Sequence, residues 1–188
     1  MIIKQKVRIF QKKSYMENLD QNFKEKPNNS NAVLKLGIIS GLILILISFI
    51  LFFTNSTYEP WAKWISTAVM FCLIVFSQKI LSDGFDKISF GKIFGMGFKI
   101  TLIITLLSML YMVIYTNVLD VNFNEKVVQV ARESMEKKGT LSEEQIEAAL
   151  EMSKKFMTPA FMYIMLIVSN LIFGSLFSVI GAAVFKKE

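Results

Sequence analysis

The stretch Lys63–Lys79, KWISTAVMFCLIVFSQK, decides how many times this chain crosses a membrane. Between its two lysines lie 15 uncharged residues, Trp64 to Gln78. A hydrocarbon core about 30 Å thick needs about 20 residues at about 1.5 Å of helical rise each. Taken alone the run is too short. Lys63 and Lys79 can lay their methylenes along the apolar surface and carry their ammonium groups outward, which extends the predicted span to 61–81.

Working outward, three further runs carry no charge: Leu36–Tyr58 for 23 residues, Ile100–Leu119 for 20 and Phe156–Phe185 for 30. Each is long enough to cross with some tilt. The charges between them test the count, because Lys and Arg collect on cytoplasmic flanks. Residues 1–35 carry a net +5, 54–63 are neutral, 79–99 carry +2, 120–157 carry −2 and 186–188 carry +1. Four crossings put every basic flank on the cytoplasmic side and the neutral and acidic ones outside. Three crossings would place the acidic loop inside and Lys186 and Lys187 outside. The sequence therefore predicts an all-α integral membrane bundle with spans at about 33–55, 61–81, 93–119 and 158–185 and both termini cytoplasmic. The first apolar run is too long for a signal-peptide h-region, so it is read as an uncleaved anchor. Residues 1–32 read as a disordered basic cytoplasmic tail. Met16 is a second candidate start within it. Residues 33–187 form the four-span domain.

Composition narrows the chemistry. Hydrophobic residues make up 53% and charged residues 19%, against about 45–50% and about 25% in soluble domains. There is no histidine and a single cysteine, Cys72. Relays of the Ser-His-Asp or Cys-His kind, histidine zinc sites, CxxC pairs and internal disulfides are excluded for the chain alone. No Walker loop, dinucleotide glycine fingerprint or HExxH motif is present. No catalytic residue, metal ligand or cofactor is expected. Cys72 is expected to pack as a small apolar side chain. A basic tail beside a bilayer meets anionic lipid, so no nucleic acid is expected as a partner.

Between the third and fourth spans, 122–157 reads as an extracytoplasmic helical hairpin. Asn122 or Asn124 is placed to cap a helix carrying Val127, Val128, Ala131 and Met135, and Gly139 follows Lys137 and Lys138 as its stop. Ser142 with Gln145 is a capping box, and Ile146, Ala149, Leu150, Ser153, Phe156 and Met157 form the stripe of a second helix. Thr158 and Pro159 open the last span. Glu143, Glu147 and Glu151 recur every four residues, but one straight helix presents too few converging oxygens for calcium, so they read as a solvated face.

Lipid gives helices little hydrophobic reason to associate, so spans meet through small and hydroxylated residues. The predicted packing positions are Gly37, Gly41 and Ser48 in the first span, Gly97, Thr101, Thr105 and Ser108 in the third, with Tyr115 on the same side, and Asn170, Gly174, Ser178 and Gly181 in the fourth. The competing reading is a polar pathway, or a solute held by these hydroxyls and the Asn170 amide. Lys99 projects away from this stripe and reads as a snorkelling residue.

Four stretches, in order, carry a likeness to a known family. They are Leu34-Lys35-Leu36-Gly37, Ile88-Ser89-Phe90-Gly91-Lys92-Ile93-Phe94, Leu141-Ser142-Glu143-Glu144-Gln145-Ile146, and Gly174 to Lys187. Their order and spacing resemble an uncharacterised bacterial membrane family, the domain of unknown function family 4199. The resemblance implies a four-helix protein of the bacterial cytoplasmic membrane and supplies no activity. The resulting expectation is a non-enzymatic accessory or interaction protein whose hairpin meets a second copy or another membrane protein. The alternative is a small oligomeric transporter or channel subunit.

Overall fold

The computed structural model describes residues 29–156 and 158–187. By backbone contacts the chain divides into Met1–Ala32 and Val33–Glu188. The expected tail over 1–28 lies outside the described residues. Asn29–Ala32 form the opening of a helix rather than part of that tail.

The described residues are helical, with no strand among them. The order is α1 (Asn29–Phe53), α2 (Ala62–Asp83), α3 (Phe90–Ile114) running on into one π-helical turn (Tyr115–Leu119), α4 (Phe123–Lys138), α5 (Glu143–Phe156) and α6 (Pro159–Phe185). Four of these are long and apolar enough to cross a membrane: Ser30–Phe53, Ala62–Asp83, Phe90–Leu119 and Pro159–Phe185. The lysine-bracketed stretch is thus a helix of full spanning length. Only a minority of each span is buried, and large apolar side chains such as Leu46, Phe76, Leu106 and Ile172 are exposed, as expected for surfaces that lipid covers.

Helix ends follow local chemistry. α1 stops where Asn55 turns left-handed at φ 54°, and the Ser56 amide reaches back to Leu51 O at 2.9 Å. α4 stops at Gly139, φ 63°. The Ser142 hydroxyl accepts from the Gln145 amide at 3.3 Å, and Gln145 Oε1 accepts from the Ser142 amide at 2.9 Å. Thr158 Oγ1 accepts from the Phe161 amide at 3.3 Å, with Pro159 in the first turn of α6. The cap expected at the start of α4 differs. Asn122 holds that position with its backbone at φ −95°, ψ 14°, away from extended geometry, and its side chain makes no capping bond.

Within the bundle the most extensive contact is between α3 and α6, then α2 and α6, then α2 and α3. α1 rests on α3 through side chains: a Cβ at Gly37 would lie 2.7 Å from Ile103 Cδ1, and one at Gly41 2.5 Å from Leu107 Cδ1. At the end of the bundle that holds the C-terminal residues, Ile88 and Lys187 exchange backbone hydrogen bonds of 3.0 Å. Lys187 Nζ donates to Ser82 O and Phe85 O, both at 3.1 Å, over the carbonyl end of α2. Cys72 lies on the outer surface of α2. It is exposed, because two residues at 100° each turn it away from the fully buried Ile74.

Candidate functional site

Three polar features lie along the bundle, and the first is a buried amide. Gln78, on α2, is fully buried; its Nε2 donates to Ile93 O at 3.1 Å and to Ser178 O at 2.9 Å. Two carbonyls on one side require the NH₂ there, which fixes the amide's orientation. Gly97 and Gly181 make room for it, since a Cβ on either would collide with the Gln78 amide. Next to it, a Cβ on Gly174 would strike Thr101. Thr101 donates to Gly97 O at 3.1 Å, Thr105 to Thr101 O at 2.8 Å and Ser178 to Gly174 O at 2.6 Å. Back-bonding to a carbonyl one turn earlier is how a hydroxyl is satisfied inside an apolar bundle.

The second feature is a cavity of about 260 Å³ among all four spans, in the half of the bundle nearer the α4–α5 hairpin. The predicted packing residues Ser48, Ser108 and Asn170 are in its wall, with Ser66, Thr67 and Tyr111 supplying the rest of its polar lining. No Asp, Glu, Lys or Arg lines it.

The third is a cluster where α3 gives way to the hairpin. The π turn brings the Asp120 amide to Tyr115 O at 2.8 Å, a five-residue return that places both side chains on one side. Asp120 is 5% exposed, so its charge has to be met by protein groups. Its carboxylate accepts from Tyr58 Oη at 2.6 Å, Lys126 Nζ at 2.8 Å and Tyr115 Oη at 3.3 Å. Burial pushes this carboxyl upward in pKa, but Lys126 first and then the two phenols outweigh it and hold it below the usual range. Burial, reinforced by the Asp120 carboxylate that it donates to, raises the Tyr58 phenol well above its usual range, so Tyr58 stays a donor. Phe123, in the first turn of α4, lies tilted against Tyr58 at 6.0 Å and meets Tyr115 edge-on at 5.6 Å. These contacts attach the hairpin to the bundle.

Beyond that attachment α4 and α5 pack on each other rather than along a span. Ile146 and Leu150 are buried, and Arg132 bridges the two helices to Glu143 at 3.2 Å and to Glu147. Two members of the acidic row are therefore turned to an arginine. Among the described residues no group of three His, Cys, Asp or Glu side chains is arranged to hold a metal ion.

The sequence reading did not single out Gln78, Tyr58, Asp120, Lys126 or Tyr111. Gln78 left a signal, the one amide inside the apolar part of the second span. Tyr58 and Asp120 stand 62 residues apart and left none.

Four helices long and apolar enough to cross a bilayer make this a multi-pass membrane protein. The family model for a protein of unknown function, DUF4199, matches residues 35–187, and the chain belongs to that family. No curated protein and no solved structure matches it.

Proposed function

We propose that this is a non-enzymatic accessory or interaction protein of the bacterial cytoplasmic membrane, with both chain ends cytoplasmic and the α4–α5 hairpin on the opposite face as its interaction element. The observation that supports this reading is the hairpin's construction. It is braced internally by Arg132 and fastened to the bundle at one end by Asp120. It leaves Leu141, Met152 and Phe156 at 41%, 64% and 55% exposure. Large apolar side chains standing outside a span are the usual material of a contact with another protein. The acidic balance of the loop favours its place outside.

Co-purification from native membranes tests this. The full chain is expected to bring down a stoichiometric membrane partner or a second copy. Deleting 122–155, or making the pair Met152→Lys and Phe156→Lys, is expected to lose it while the bundle remains in the membrane. Recovery of the same partner with the double variant would refute the hairpin as the interaction element. A transporter or channel subunit is the second reading, favoured by the polar cavity alone.

A further inference from the structure

The walls of the cavity between the spans carry hydrogen-bonding groups that the protein itself leaves unused. Tyr111 Oη is buried and has no hydrogen-bond partner among the described residues. The Ser108 hydroxyl and the Asn170 amide also line the space, and no described residue bonds to either. Inside a bundle surrounded by hydrocarbon, an unpaired polar group is unfavourable unless something polar meets it. Three of them, from α3 and α6, face one space.

The other polar wall groups are already committed as donors. Ser48 donates to Leu44 O at 3.0 Å, Ser66 to Ala62 O at 3.3 Å and Thr67 to Lys63 O at 2.8 Å. Each therefore presents only acceptor lone pairs to the cavity. The wall thus offers free donors at Tyr111, Ser108 and Asn170 and acceptors at Ser48, Ser66 and Thr67, so a complementary occupant carries groups that donate and accept at once, as hydroxyls do. It is also uncharged, since no ionised side chain lines the cavity to compensate a charge. A space of about 260 Å³ is several times the share of about 30 Å³ that one water takes in the liquid. Several waters fit, or one molecule the size of a small polyol.

The level of the cavity indicates its entry. Ser66 lies about one turn into α2 and Ser48 a little over one turn before the end of α1, whereas Ser108 and Asn170 lie about three turns from the hairpin ends of their spans, so the site runs inward from the hairpin face. We propose that this cavity is a hydrated binding site for a small uncharged polyol, entered from the face of the membrane that carries the hairpin. The site is independent of what the hairpin contacts.

Cysteine labelling of the full chain in native membrane vesicles tests it, in a Cys72→Ala background and with glycerol as the probe. Thiols ionise and react in water but not in lipid, so Ser108→Cys and Asn170→Cys should each react with the small uncharged methyl methanethiosulfonate about tenfold or more faster than lipid-facing Leu106→Cys. With an impermeant thiol scavenger sealed on the side opposite Lys138→Cys, this labelling should persist. Glycerol should slow the cavity cysteines severalfold, and sucrose at equal osmolality should not. Rates no faster than that of Leu106→Cys at both cavity positions would show a dry gap and overturn the proposal. Fast labelling that glycerol leaves unchanged, or that sucrose slows equally, would overturn the polyol site. Using two positions guards against one variant failing to fold.

Discussion

Gly174→Leu is expected to destabilise the folded bundle by about 3 kcal/mol, because its side chain has to enter the space held by Thr101. α3 and α6 share the most extensive helix contact, and Thr101 is fully buried with its hydroxyl committed to Gly97 O. Thr101 therefore has no low-cost position to move to. Pushing the helices apart would also strain the bonds from Gln78 on α2 to Ile93 O and Ser178 O. The matched control is Gly95→Leu, where an added Cβ meets nothing within 4 Å. That variant should change stability by no more than about 0.5 kcal/mol. Equilibrium unfolding in mixed micelles, following tryptophan emission, gives both values. Equal midpoints for the two variants would show that α3 and α6 do not meet at Gly174.

Asp120→Asn is the second large effect, expected to cost about 2 kcal/mol in the attachment of the hairpin. The carboxylate takes three hydrogen bonds, two from phenols and one from Lys126, and an amide can reproduce only part of that set. Lys126 is half exposed, so its share is discounted for solvent screening. The same cluster predicts a pH dependence. The folded-state carboxyl titrates below its ordinary value of 3.8. Its contribution is therefore complete above that value and is lost as pH falls through the lower folded value. Limited proteolysis of the hairpin should accelerate below pH 4 in the parent chain. In Asp120→Asn it should be fast and flat across the same range. A parent chain whose cleavage does not change with acid would remove Asp120 from the role of anchor.

The architecture was legible because its signals are long or local. Uncharged length and the lysine brackets of the second span mark four helices, and the capping box at Ser142, the left-handed Gly139 and the Thr158–Pro159 start bound the hairpin. Small residues at helical spacing mark faces, and Thr101, Gly174 and Ser178 are buried where those faces meet. The same stripes do not distinguish packing from lining: Ser48, Ser108 and Asn170 border a cavity, and a cavity is a property of the gap between helices. Gln78 was hidden by its position near a charged bracket, where an amide reads as the end of a span. The Asp120 cluster depends on a π turn, which has no spacing signature, and on a phenol from a distant loop.

With four crossings of the bilayer, the hairpin is proposed to emerge on the face opposite the chain's basic ends. Single cysteines in the Cys72→Ala background, at Lys35, Thr57, Lys87, Lys138 and Lys187, test it with an impermeant maleimide on right-side-out vesicles. Thr57→Cys and Lys138→Cys should label in intact vesicles, and the other three only after permeabilisation. Lys138→Cys behaving like Lys187→Cys would contradict the account.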